Sequence, residues 1–200
     1  MSDAVLMKKI ADHVMLVTIN RPDARNAVNG DVAQGMERAV SETENDPDIW
    51  VVILTGAGDK AFSAGADLKA VSQGGGASLG TPNGGFAGFV HRQRTKPWIA
   101  AVNGFALAGG CEISLACDMI VAIEDAAFGL PEVKRGLVAG AGGLYRLPRA
   151  LPKALAIELI LTGAHFDAKR AFAHGLVNRL VPRDQLMPEA LKLASAICEN

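Results

Sequence analysis

The chain predicts an α/β fold, and three features carry that expectation. Apolar runs of strand length alternate with segments of helical periodicity. Two runs, WVVIL at 50–54 and WIAAV at 98–102, are continuously apolar, as expected of strands covered on both faces. The order strand, glycine turn, small-residue loop, helix occurs at WVVILTGAG…SAGADL and again at WIAAVNG…LAGGCEISL. Such recurrence suits stacked repeats whose equivalent loops line one face.

His13 to Ile19 reads as a strand, and Asn20 to Asn29 (NRPDARNAVN) as a loop dense in turn residues. Asp31 is placed to cap the next helix, in which Val32, Met36, Ala39 and Val40 recur at helical spacing until Asn45-Asp46-Pro47. The strand Trp50 to Leu54 leads into the loop TGAGDKAFSAGADL and a short helix capped by Asp67. Residues 72–88 are dominated by Gly, Ser, Pro and Asn, which predicts a mobile, substrate-facing loop. A basic helix over FVHRQRTK, a strand over Trp98 to Val102 and a helix from about Gly109 to Cys117 follow. Met119 to Ile123 is another strand, Pro131-Glu132 a helix start, and Gly140 to Gly143 a glycine cluster. Helices fill most of the remainder, with a short strand at Leu176 to Leu180 and a last helix from Asp184. Trp50 and Trp98 each open an apolar strand and are expected in the core.

The 200 residues are 50% hydrophobic, enough for a sizeable core. A net charge of -1, from 20 basic and 21 acidic residues, lacks the clustered basic excess of a nucleic-acid-binding surface. Cys111, Cys117 and Cys198 form no CxxC pair and no zinc-ligand spacing, so neither disulfides nor a metal site is expected. No amino-terminal signal and no apolar run of about 20 residues is present, so a cytoplasmic protein without a membrane partner is expected.

The chemistry gathers at two small-residue turns. Gly109-Gly110 opens a helix, and a helix start with free N–H groups holds negative charge while glycine admits a ligand closely. Ser63-Ala64-Gly65-Ala66-Asp67 offers an exposed N–H from an unconnected part of the chain, and two N–H groups from two loops make an oxyanion hole. Glu112 and Glu132 each stand in an opening helical turn, where an acid can either satisfy the helix N-terminus or move protons beside a carbonyl. The window 68–111 holds no Asp or Glu but contains Lys69, Arg92, Arg94 and Lys96, which could attract a phosphate-bearing ligand or form an ordinary solvated face. Gly56-Ala57-Gly58-Asp59-Lys60-Ala61 satisfies a relaxed dinucleotide pattern, but no helix opens there and no acid follows at ribose distance. No GxSxG elbow supports a triad hydrolase.

FSAGADL (62–68), AAVNGFALAGGCEISLACD (100–118) and FGLPEVKRGLVAGAGGLYRL (128–147) resemble, in order, the three signature blocks of the crotonase (enoyl-CoA hydratase/isomerase) superfamily. NRPDARNAV and LTGAHFDAKRAFAHGLVNRLVP (161–182) extend the likeness over nearly the whole chain. The resemblance implies a spiral of ββα repeats and an acyl-coenzyme A substrate, with no cofactor besides the coenzyme A of the substrate itself. It implies an oxyanion hole from the N–H groups of Ala66 and Gly109, catalytic carboxyls at Glu112 and Glu132, and substrate contacts at Ala24, Ala64, Gly65, Ala66, Asp67, Leu68, Lys69 and Gly109. It further implies a core over 1–182, the start of a C-terminal oligomerisation module over 183–200 that is largely absent from this chain, and a homotrimer or dimer of trimers. GGFAGF at 84–89 also resembles the carnitinyl-CoA dehydratase branch, while Ala108 and Ala139 stand where many relatives have Gly and Pro. The implied activity is reversible hydration of an enoyl thioester. Alternatives are double-bond isomerisation using mainly Glu132, a carnitinyl-CoA dehydratase-type lyase, or a non-catalytic acyl-CoA binder.

Overall fold

β-branched and aliphatic runs too short to span a domain alone must stack, and in the computed structural model, which describes residues 3–200, they build two main sheets beside one two-stranded hairpin. The chain opens with the antiparallel pair β1 (Val5–Ala11) and β2 (Val14–Ile19), followed by α1 (Gly30–Asn45). The first repeat is β3 (Val51–Gly56), β4 (Ala61–Ser63) and α2 (Leu68–Ser72). A small hairpin, β5 (Gly80–Thr81) with β6 (Gly85–Phe86), is inserted before the second repeat, β7 (Trp98–Val102), β8 (Phe105–Leu107) and α3 (Gly109–Ala116). The third contains β9 (Met119–Ile123), β10 (Ala127–Gly129) and the 3-10 turn Pro131–Arg135. There follow α4 (Gly143–Ala150), α5 (Lys153–Thr162), β11 (His165–Asp167), α6 (Ala168–Ala173), β12 (Arg179–Val181) and α7 (Leu186–Cys198).

Each repeat gives one strand to each sheet. The larger sheet runs β1-β2-β3-β7-β9-β12 and the smaller β11-β10-β8-β4. β3, β7 and β9 are parallel, with Ile53 beside Ile99 and Ala101 beside Val121; β4, β8 and β10 are parallel too. This is the spiral of ββα units, and it explains the continuous apolar strands, since β3 and β7 are buried at every residue. α7 buries Leu186, Ala190 and Ala194 and lies against β3, β7 and β9. Among the described residues no helix is long and apolar enough to cross a membrane.

Several expectations need correction. Trp50 is 43% exposed and stacks on His13 at 3.6 Å between ring centres, whereas Trp98 is fully buried. α1 is capped by the Asn29 side chain, which accepts from the Val32 N–H at 3.1 Å, and Asp31 falls in its first turn. The 72–88 stretch is not without structure: residues 75–79 form a 3-10 turn leading into the hairpin, anchored by buried Leu79 and Ala87. The basic stretch 89–96 forms turns instead of a helix. Pro97 disfavours helical backbone before it, and the cations fold inward. Arg94 donates to the Ala116 carbonyl at the end of α3, and Lys96 Nζ donates to the Thr43 and Asp46 carbonyls at the end of α1. These charges complement helix C-termini, so they do not form a phosphate-attracting face.

The loop before α1 is fixed by Asn26, which is fully buried in left-handed backbone at φ 55°. Its amide donates to the Ala57 and Ala61 carbonyls at 2.9 and 2.7 Å and accepts from the Arg21 N–H. Asn tolerates this conformation better than most residues. Asn26→Ala should therefore lower stability by about 3 kcal/mol in denaturant unfolding, through orphaned buried groups; a loss within error would contradict this role.

Candidate active site

β4 and β8 end side by side, and the turns that leave them meet. Gly65, at φ +87°, presses so closely on the second turn that a Cβ there would stand 2.8 Å from the Gly109 nitrogen. A side chain at Gly65 would drive these backbones apart, while one at Gly109 would strike the Phe86 ring. The first turn is held from below by the loop before α1: the Ala64 N–H donates to the Arg25 carbonyl, the Val28 N–H to the Gly65 carbonyl, and Ser63 Oγ to the Asn26 carbonyl. Asp67 caps α2 through the Lys69 and Ala70 N–H groups and pairs with Arg21 at 2.9 Å. Burial alone would raise its carboxyl, but the Ala70 N–H, Arg21 and the Lys69 N–H outweigh that and hold it below the usual carboxylate range.

These constraints leave two N–H groups without an internal acceptor among the described residues. In the isolated parallel bridge of Val28 with Ala66, the bonds run from the Val28 N–H to Gly65 and from the Asp67 N–H to Val28, so the Ala66 N–H takes no part. Gly109 begins α3, where an N–H has no partner within the helix. Ala108 precedes it at φ 51°, ψ -127°, a conformation that costs a non-glycine residue about 1 to 3 kcal/mol. Its own N–H is tied to the Gly129 carbonyl at 2.9 Å, which holds this turn in place. The Phe86 ring, carried by the hairpin, closes over Gly109.

Ala66 and Gly109 both line one cavity of about 1000 Å³, with Glu112 and Glu132 in its wall. Glu112 is 3% exposed, and its Oε1 accepts from the Gly143 N–H at 2.9 Å across from α4. It is therefore not spent on its own helix N-terminus. Burial, reinforced by the neighbouring Glu132 charge, pushes its pKa up to about 7 against the pull of the Gly143 N–H. Burial raises Glu132 as well, and its Oε2 is buried with no hydrogen-bond partner among the described residues. Cys111 beside Glu112 is pushed up to about 12 by burial, so its thiol is inert. No group of three or more potential metal-ligating side chains occurs among the described residues.

Of the residues singled out from the sequence, the structure gathers Ala64, Ala66, Leu68, Gly109, Glu112 and Glu132 in the cavity lining, with Gly65 packed beneath Gly109. Asp67 positions the loop from outside the lining. Ala24, in the 3-10 turn Pro22–Ala24, and exposed Lys69 also lie outside it. The sequence reading missed Arg25, Lys134 and Arg135 as the basic residues of the lining, and Phe86 and Gly143 as the neighbours of the two functional turns. Nothing in the sequence reveals that Arg25 adopts φ 52°; the glycine cluster 140–143 was visible, but not its bond to Glu112.

Comparison with known proteins finds similar chains over nearly the whole length of this one. The family model described as enoyl-CoA hydratase/isomerase matches residues 9–200. The chain is 43% identical over 188 residues to a carnitinyl-CoA dehydratase of Salmonella enteritidis PT4, covering 94% of this chain and 72% of the relative. A crystal structure of carnitinyl-CoA hydratase from Mycobacterium avium superposes with a TM-score of 0.96 at 50% identity, covering all of this chain and 77% of that one. Enoyl-CoA hydratase from Mycobacterium tuberculosis H37Rv does so at 0.94 and 48%, with the same coverage.

A carboxyl whose folded pKa lies above its unfolded value favours the folded state most fully below the unfolded value, and this contribution is lost as pH rises through the folded value near 7. Glu112→Gln should thus melt higher than the parent protein at pH 8, with the gain shrinking towards pH 5. Equal melting shifts at both values would show that Glu112 is not strained by its burial.

Proposed function

The chain belongs to the enoyl-CoA hydratase/isomerase family, and from that premise we propose that it adds water reversibly to an enoyl-CoA thioester. The observation that carries this reading is the meeting, in one cavity, of two N–H groups unpartnered among the described residues with two acids of raised pKa, Glu112 buried and Glu132 half-buried. In this scheme the Ala66 and Gly109 N–H groups receive the thioester oxygen and stabilise the enolate, each worth about 3 kcal/mol. Glu112, ionised, takes a proton from water as the water oxygen bonds to the β-carbon. Electrons move to the carbonyl oxygen, and Glu132, in its acid form, delivers a proton to the α-carbon as the enolate electrons return. A general base works best with a pKa near the operating pH.

Coenzyme A enters as part of the substrate, and the reaction as drawn needs no other cofactor. The contacts assigned to it are Ala24, Ala64 and the segment 65–69, with Arg25, Lys134 and Arg135 supplying positive charge for its phosphates. Phe86, Leu107, Leu137 and Val138 offer an apolar wall to the acyl group. The same acids run backwards would dehydrate a 3-hydroxyacyl thioester, and the names of the relatives favour carnitinyl-CoA as one substrate to assay. Residues 1–182 would form the catalytic core and 183–200 the opening of an oligomerisation module. Assembly as a homotrimer, or a dimer of trimers, is supported by exposed Leu161 and Phe172.

Loss of enoyl absorbance on incubation with crotonyl-CoA tests the reading, with carnitinyl-CoA as a parallel substrate. Hydration or dehydration should be observed, and Glu112→Gln and Glu132→Gln should each lower kcat at least 100-fold with KM little changed. Unchanged rates in both variants, or movement of the double bond without hydration, would refute it. For the parent enzyme, kcat/KM should fall as pH drops below about 7, because protonated Glu112 cannot accept the water proton. A profile flat down to the ordinary carboxylate range would contradict that assignment.

A further inference from the structure

Arg146 lies in α4, outside the cavity lining, and forms no ion pair among the described residues. Its guanidinium is used on backbone instead. Nη1 donates to the Ala141 carbonyl at 3.2 Å and Nη2 to the Val90 carbonyl. Ala141 lies two residues before Gly143, whose N–H holds Glu112; Val90 lies just beyond the hairpin that carries Phe86. The planar fork therefore ties the glycine loop to the segment that closes the cavity. Gly142 sits at φ +121°, a backbone that favours glycine, with Nη1 packed directly against it.

We propose that Arg146 is a positioning residue for the reaction assigned above, fixing the 140–143 loop so that the Gly143 N–H holds the Glu112 carboxylate where it meets the attacking water. The proposal rests on that reading of Glu112. An uncharged side chain at 146 would leave the Ala141 and Val90 carbonyls without their shared donor and free the loop to shift. A misplacement of about 1 Å at a general base can cost roughly 100-fold in rate.

Electrostatics point the same way. α3 packs on α4, β4 and β8. The two strands carry no titratable side chain, and α4 carries Tyr145, Arg146 and Arg149, of which Arg146 draws the Glu112 pKa down. Glu132, from the turn that also holds Lys134 and Arg135, pushes it up, and Cys111 on α3 itself stays neutral. Without Arg146 and a well-placed Gly143 N–H, the ionised form of Glu112 loses two of its supports.

The test compares the parent enzyme with Arg146→Met, Arg146→Lys, Glu112→Gln and the double variant Arg146→Met/Glu112→Gln on crotonyl-CoA. Arg146→Met should lower kcat about 10- to 100-fold with KM nearly unchanged, and should move the acid limb of kcat/KM to higher pH. Arg146→Lys, which keeps charge but not the fork, should fall between, and serves if the Met variant does not fold. In the Glu112→Gln background the Met substitution should cost less than about threefold in kcat, since the group it positions is gone. An unmoved acid limb in the Met or Lys variant, or an equal loss with and without Glu112, would overturn the proposal. A Glu112→Gln variant that keeps full activity would instead overturn the reading of Glu112 on which it stands.

Discussion

Two backbone N–H groups, those of Ala66 and Gly109, that have no internal acceptor among the described residues are the constraint on which this structure depends. Burying a donor without a partner costs about 1 to 3 kcal/mol, so a chain exposes one to a cavity only where surrounding bonds leave no alternative. The parallel stacking of β4 on β8 brings the two turns to one level. The bridge from Val28 takes the bonds on either side of Ala66, and the start of α3 leaves Gly109 free. Unfavourable backbone gathers nearby, at Arg25, Asn26 and Ala108, and is held by the bonds of Asn26 and of the Ala108 N–H. Strain stored beside a cavity and over-determined by its surroundings is the signature of a preorganised site.

The acids follow the opposite logic. Glu112 is buried and Glu132 half-buried, with no ion pair to either among the described residues, and that desolvation raises the pKa of both. Glu112 keeps one strong donor, the Gly143 N–H, whereas Glu132 keeps an oxygen with none. In the proposed reaction the acid with that donor would take the water proton, and the other would exchange the proton at the α-carbon. A site built this way trades stability for reactivity.

Much of this was legible in the sequence because local chemistry agreed with the fold. The continuous runs at 50–54 and 98–102 became central strands, the first from Val51, the Asp67 cap formed as expected, and the two glycine-bearing turns met as the recurrence implied. What stayed hidden depended on partners distant in sequence. β4, β8 and β10 are only three residues long and carry too few positions for a period to show. The basic stretch was misread because Arg94 and Lys96 are fixed by carbonyls at the ends of α3 and α1, not by their own segment. Trp50 looked like core from its neighbours, yet it covers His13 at the surface.

The most direct test of the central claim is the carbonyl stretching frequency of an acyl-CoA thioester, labelled with carbon-13 at C1, measured free and bound by isotope-edited infrared spectroscopy. Two N–H groups aimed at the oxygen weaken the C=O bond, so the band should shift to lower frequency on binding. A bound ligand whose carbonyl band stays at its solution position would contradict the account.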